Sequence, residues 1–168
     1  MKTKILKISA TYLFLAILSL LLMASGCEKD DQYTELVNGY IVGSFICDEL
    51  NYETGQATGN PTERGYCILI EGSENVISDW PLDFYTFNFP DNLFTFPNEI
   101  LIPNYSGNNC GPTFFPDSLK NTYKIKFKYQ KLIDTEKQHF VCGICTLMEI
   151  GFPWDDYSEI SLIEITKY

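Results

Sequence analysis

The stretch Tyr123-Lys124-Ile125-Lys126-Phe127-Lys128-Tyr129 alternates without a break, apolar at odd positions and lysine at even ones. Successive side chains of a β-strand point to opposite faces, so this segment predicts a strand with Ile125, Phe127 and Tyr129 turned inward and three lysines turned out. The same grammar recurs on both sides of it. Residues 65–71, Gly-Tyr-Cys-Ile-Leu-Ile-Glu, are almost continuously apolar and predict a central strand. Residues 82–89 set Tyr85, Phe87 and Phe89 against Phe84, Thr86 and Asn88, and Pro90 closes them. Residues 36–47 predict an opening strand in which Gly39 and Gly43 permit the bending that a small barrel asks of it. Residues 138–149 and 159–167 predict two more, flanking the turn Gly151-Phe152-Pro153-Trp154-Asp155-Asp156.

Between these strands the composition changes. Residues 48–64 are rich in Asn, Thr, Gly and Pro and read as a long exposed hairpin loop. Residues 90–122 hold Pro97, Pro103, Pro112 and Pro116, which leaves room only for single helical turns at 91–94 and 116–119. No stretch after the leader sustains a helical period over three turns, while the chain carries 12 Phe and 11 Tyr, residues that suit sheets. Three strands, a long irregular connection, then two or three more strands predict an all-β domain, a small five- to six-stranded OB-like barrel. A β-sandwich is the alternative, because strand order is not readable from one sequence.

The amino end has a different character. Three lysines in the first seven residues precede an apolar run over residues 8–24, and Ala24-Ser25-Gly26-Cys27 follows. Basic, apolar and then small residues form the order of an export signal, and the run falls short of the roughly 20 apolar residues of a membrane span. Small residues before a cysteine resemble the lipobox of bacterial lipoproteins, although Ala24 stands where such boxes usually carry Leu. The resemblance implies removal of residues 1–26 and lipidation of Cys27, with residues 27–35 as an acidic tether and residues 36–168 as a single domain. Lys29-Asp30-Asp31 just past the cysteine looks like the surface-export signal of Bacteroidota-type lipoproteins. As a whole the chain resembles small exported lipoproteins of gut-type Bacteroidota. That resemblance implies an OB-like β-barrel anchored in the outer membrane, surface-exposed or alternatively facing the periplasm, and it brings no activity with it.

Charge narrows the partners. Of 12 Lys and Arg the leader holds three, and of 22 acids none, so the remaining chain carries a formal charge of minus 13. Such a body repels nucleic acid, whose binding depends on clustered basic residues. The expected partners are the membrane, through the anchor, and an envelope protein or glycan.

Few residues offer chemistry. Besides Cys27 there are Cys47, Cys67, Cys110, Cys142 and Cys145, an odd number that cannot all pair within the chain. A hairpin register with Phe45 opposite Leu69 would set Cys47 opposite Cys67, which makes a cross-strand disulfide the expected one. Cys142-Gly143-Ile144-Cys145 has the spacing of a redox pair, but such pairs need the first thiol at a helix amino terminus and this one lies in strand-like sequence. Zinc is the other reading of the spacing, yet a structural site wants four ligands and the single histidine, His139, lies outside any nucleophile motif.

Lys124, Lys126 and Lys128 would either dock an anionic partner or keep an edge strand from aggregating. Trp80 and Trp154, in turn sequences, offer indole faces that could stack on sugar rings or pack locally. The expected function is a non-enzymatic binding or scaffolding module with no cofactor. The alternative is a thiol-dependent redox or zinc protein built on Cys142 and Cys145.

Overall fold

In the computed structural model the described residues are 35–73, 80–102, 111–142 and 152–168, all within the unit Tyr33–Tyr168. The alternating lysine stretch is a strand running over Lys124–Lys131, with Ile125, Phe127 and Tyr129 buried as the period dictates. Numbered in chain order, the strands are β1 Val37–Phe45, β2 Asp48–Asn51, β3 Gln56–Pro61, β4 Gly65–Ile70, β5 Phe84–Thr86 and β6 Thr113–Phe114. They continue with β7 Lys124–Lys131, β8 Phe140–Val141 and β9 Ser158–Lys167. Among the described residues one helical turn, α1 Asn98–Leu101, and two 3-10 segments, Asp117–Tyr123 and Trp154–Asp156, interrupt them.

Five strands close on themselves in the order β1-β4-β5-β9-β7 and back to β1. All the pairings in the ring are antiparallel except β5 with β9, where Phe84 lies beside Ser158 and Tyr85 beside Glu159 in parallel. A closed ring with its helical connection between the third and fourth barrel strands is the OB-like barrel, and closure removes the two-sheet alternative. The inward residues of all five strands make one cluster, among them Ile41, Ile68, Phe84, Ile125, Phe127 and Ile160. The irregular connection plugs it with Leu93, Phe94, Phe96, Ile100 and Leu119. Arg64 Nη1 ties that connection to the wall, donating to Ser44 Oγ and to the Leu101 carbonyl at 3.3 and 3.0 Å.

Curvature originates in β1. The register shifts between Ile41 and Gly43, so Val42 is an extra residue and the strand bends around it. Gly39 and Gly43 allow the close approach of the neighbouring strands: a Cβ at Gly39 would stand 2.7 Å from the Leu69 carbonyl oxygen, and one at Gly43 would stand 2.8 Å from that of Thr113. Residues Gly39–Phe45 are buried on both faces, because a second apolar layer covers the outside of β1, β4 and β5. Phe45, Cys67, Leu69, Tyr85 and Phe152 form that layer, with Trp80, Phe87, Phe114, Phe140 and Trp154 packed around it.

Several segments differ from the sequence expectation. Residues 48–61 form the hairpin β2–β3, whose β3 residues are all exposed and whose order comes from backbone pairing instead of apolar contacts. Within the predicted strand 82–89, only Phe84–Thr86 pair as a strand. Beyond it, Asn88 takes over with its side chain, accepting from Leu162 N–H at 2.9 Å and donating to the Leu162 carbonyl at 3.1 Å. Phe89 thus turns into the barrel cluster while Tyr85 and Phe87 belong to the outer layer. Of the strand expected at 138–149, Phe140–Val141 pair with β2 outside the barrel, and residues 143–151 lie outside the described residues.

Candidate functional site

The register of β1 against β4 decides the cysteines. Phe45 lies opposite Gly65, because the ring occupies the space a side chain there would need: a Cβ on Gly65 would come within 2.2 Å of it. Cys67 consequently faces Gly43. The expected Cys47–Cys67 disulfide is therefore incorrect: apolar alternation fixes which face a residue takes, but not how far the two strands slide by even steps. Cys67 is a free, fully buried thiol whose pKa burial pushes well up, away from reactive thiolate.

Cys47 instead joins Cys142, with Cα atoms 4.4 Å apart. The bond ties the loop that follows β1 to the loop that precedes β9, and the β2–β8 ladder runs beside it. The Leu50 N–H donating to the His139 carbonyl at 3.0 Å adds to the same seam. Cys142 is thereby engaged with Cys47 and not with Cys145; Cys27, Cys110 and Cys145 lie outside the described residues. Among the described residues no group of three or more His, Cys, Asp or Glu could hold a metal ion.

Beside this seam a cleft of about 460 Å³ opens between the two loops and the barrel. Leu50 of β2 and Tyr85 of β5 line it, with Asp134, Lys137, Gln138, His139 and Phe140 from the connection after β7 and Trp154, Asp155 and Tyr157 from the turn before β9. Its wall is aromatic and edge-packed: Trp154 lies 5.0 Å from Phe140 and 5.3 Å from Tyr85, both T-shaped, and packs tilted against Phe45 at 4.4 Å. That geometry fixes the rings by their quadrupoles as well as by burial. The indole Nε1–H of Trp154 is enclosed with no acceptor among the described residues. On the rim, His139 is exposed and rests on Tyr52 at 4.9 Å, while Lys137 Nζ pairs with Asp134 Oδ1 at 2.8 Å and holds that carboxyl below its ordinary range.

Beneath the cleft lies Glu159, 4 % exposed. Its Oε2 accepts the Gln138 N–H at 2.9 Å and its backbone carbonyl accepts the Leu132 N–H at 3.0 Å, so a single residue of β9 clips both ends of the segment 132–138. Burial pushes its carboxyl pKa up to about 7, against the opposing pull of the Gln138 N–H and the Lys137 ammonium. Tyr85, its neighbour across the parallel pair, has its phenol raised by burial first and by the Glu159 and Asp155 charges next.

The residues singled out by sequence scatter. Trp154 reaches the cleft; Trp80 packs in the outer layer, 5.8 Å from Phe114 and 5.3 Å from Phe152. Lys124 pairs with Glu71 at 2.7 Å and lies over the rings of Tyr40 and Tyr168, and Lys128 pairs with Glu164 at 3.1 Å. The edge-strand role for these lysines does not hold, since β7 is flanked by β1 and β9. They sit toward the start of β7, whereas the cleft lies past its end. Missed in the sequence were Tyr85, Gln138, Phe140, Tyr157 and Glu159; only topology brings them together.

Among the described residues no helix is long and apolar enough to cross a membrane. Comparison with protein-family models, with curated proteins and with solved structures finds no match to this chain.

Proposed function

We propose that the protein is an exported lipoprotein, held by a lipidated Cys27 in the outer membrane with its acidic barrel facing the medium, that acts as a binding module. The leader and Ala24-Ser25-Gly26-Cys27 support the anchor. The observation that carries the binding role is the cleft of about 460 Å³. It has the volume of a small-molecule or side-chain pocket, about 300–1,000 Å³, and it lies where OB-like barrels keep their variable loops. Here the two loops are stitched together by Cys47–Cys142, which holds the walls in place before a ligand arrives.

Two measurements test this. Mass spectrometry of the membrane-extracted protein gives an acylated Cys27 at the amino end; an unmodified end or a retained leader refutes the anchor. For the site, a photo-crosslinking residue is placed at His139 on the rim, or at Lys126 on the barrel wall, in cells that make the protein. Adducts from His139 alone support the cleft. Equal adducts from both positions, or none from His139, refute it.

A further inference from the structure

Resting on the cleft as the ligand site, we infer that its ligand is an uncharged saccharide, one or two pyranose rings laid against the wall of Tyr85, Phe140 and Trp154. Tyr85, Phe140 and Trp154 pack edge to face at 5.0–5.7 Å, and the half-buried Phe140 and Trp154 leave apolar surface of the kind a sugar's C–H face covers.

The rim decides the charge class. Asp155 accepts only, Lys137 donates only, and the Gln138 amide does both. A hydroxyl also does both, so a polyol satisfies each of them, while a fully charged ligand meets one half of the rim with the wrong sign. An anion would face Asp134 and Asp155, with Lys137 the one lysine or arginine among the described lining residues and already paired with Asp134, in a chain of formal charge minus 13 after the leader. An organic cation would suit the acids and the rings, but it meets the Lys137 ammonium.

The test uses the detergent-solubilised full-length protein. It is screened on an array of neutral and acidic plant, host and microbial glycans, with choline and spermidine titrated separately, and hits are quantified by calorimetry. The expected result is binding confined to neutral glycans. Asp155→Ala, at an exposed position, weakens that binding about tenfold or more, the scale of a lost charged hydrogen bond, without moving the melting temperature. Trp154→Phe, which keeps a ring in the wall, weakens it less than Asp155→Ala does.

Binding only to acidic glycans or to a cation overturns the ligand class. So does an array with no hit from protein that still forms His139 adducts in cells, which leaves the cleft standing. Neutral binding that Asp155→Ala and Trp154→Phe leave untouched places the sugar elsewhere and overturns the inference. Absence of His139 adducts removes the site reading itself.

Discussion

Replacing Glu159 with Gln separates one proton from all the others in the molecule. The carboxyl titrates near 4.5 in the unfolded chain and near 7 when folded, so over that interval the folded protein holds a proton the unfolded chain has released. Stability from this position is complete below about pH 4.5, declines as pH rises and levels off above about pH 7. The difference of about 2.5, at about 1.4 kcal/mol for each pH unit, sets a ceiling of about 3.5 kcal/mol on the decline. Gln keeps an oxygen for the Gln138 N–H and has no charge to bury, so its stability contribution is flat across the same range. The assay is urea unfolding of both proteins at about pH 4.5, 6 and 8, taking the difference of the two curves. Every other acid cancels in that difference, and a constant offset from the substitution does not alter its slope. Wild type should lose about 1–3 kcal/mol relative to Glu159→Gln between the lowest and highest pH. Parallel curves would refute the buried, proton-holding carboxyl.

Other consequences of the structure are open to measurement. Cys47→Ser with Cys142→Ser opens a 95-residue closure, for which chain entropy gives about 4–5 kcal/mol; a urea midpoint equivalent to less than about 1 kcal/mol lost would show that the bond contributes little. Phe127→Ala empties the fully buried centre of the barrel and should cost about 3–5 kcal/mol by thermal unfolding. Gly65→Ala drives a methyl into the Phe45 ring and should cost about 1–3 kcal/mol, with a near-ultraviolet circular dichroism change as the aromatic layer shifts; a neutral result would refute the register given to β1 and β4.

How much was legible follows from where the stabilising forces lie. β7 declares itself because each inward position is apolar and each outward one a lysine, and β4 because both of its faces are covered. Residues 48–64 read as an exposed hairpin loop, but the strand pairing inside it was invisible: Gln56-Ala57-Thr58-Gly59-Asn60-Pro61 buries nothing, and backbone pairing leaves no pattern in side chains. The disulfide was misassigned because its position depends on one contact, Phe45 over Gly65, that alternation does not encode. The cleft was out of reach for the same reason, since Tyr85 and Glu159 meet only through a parallel pairing between strands more than 70 positions apart. Trp154 was noticed for its aromatic face, and its role in the wall rests on neighbours that sequence does not supply.

Cys47 and Cys142 also make a closed ring of backbone, with β1 and β9 leaving it as two free arms. The tip of the β2–β3 hairpin, residues 52–55, is an exposed turn within that ring, the kind of place where extracellular proteases cut. A nick there turns the ring into a line and yet separates nothing, because each fragment keeps one of the two sulfurs. Scarred molecules would run as one band on a non-reducing gel and as two after reduction, so damage at this tip would leave the barrel in one piece.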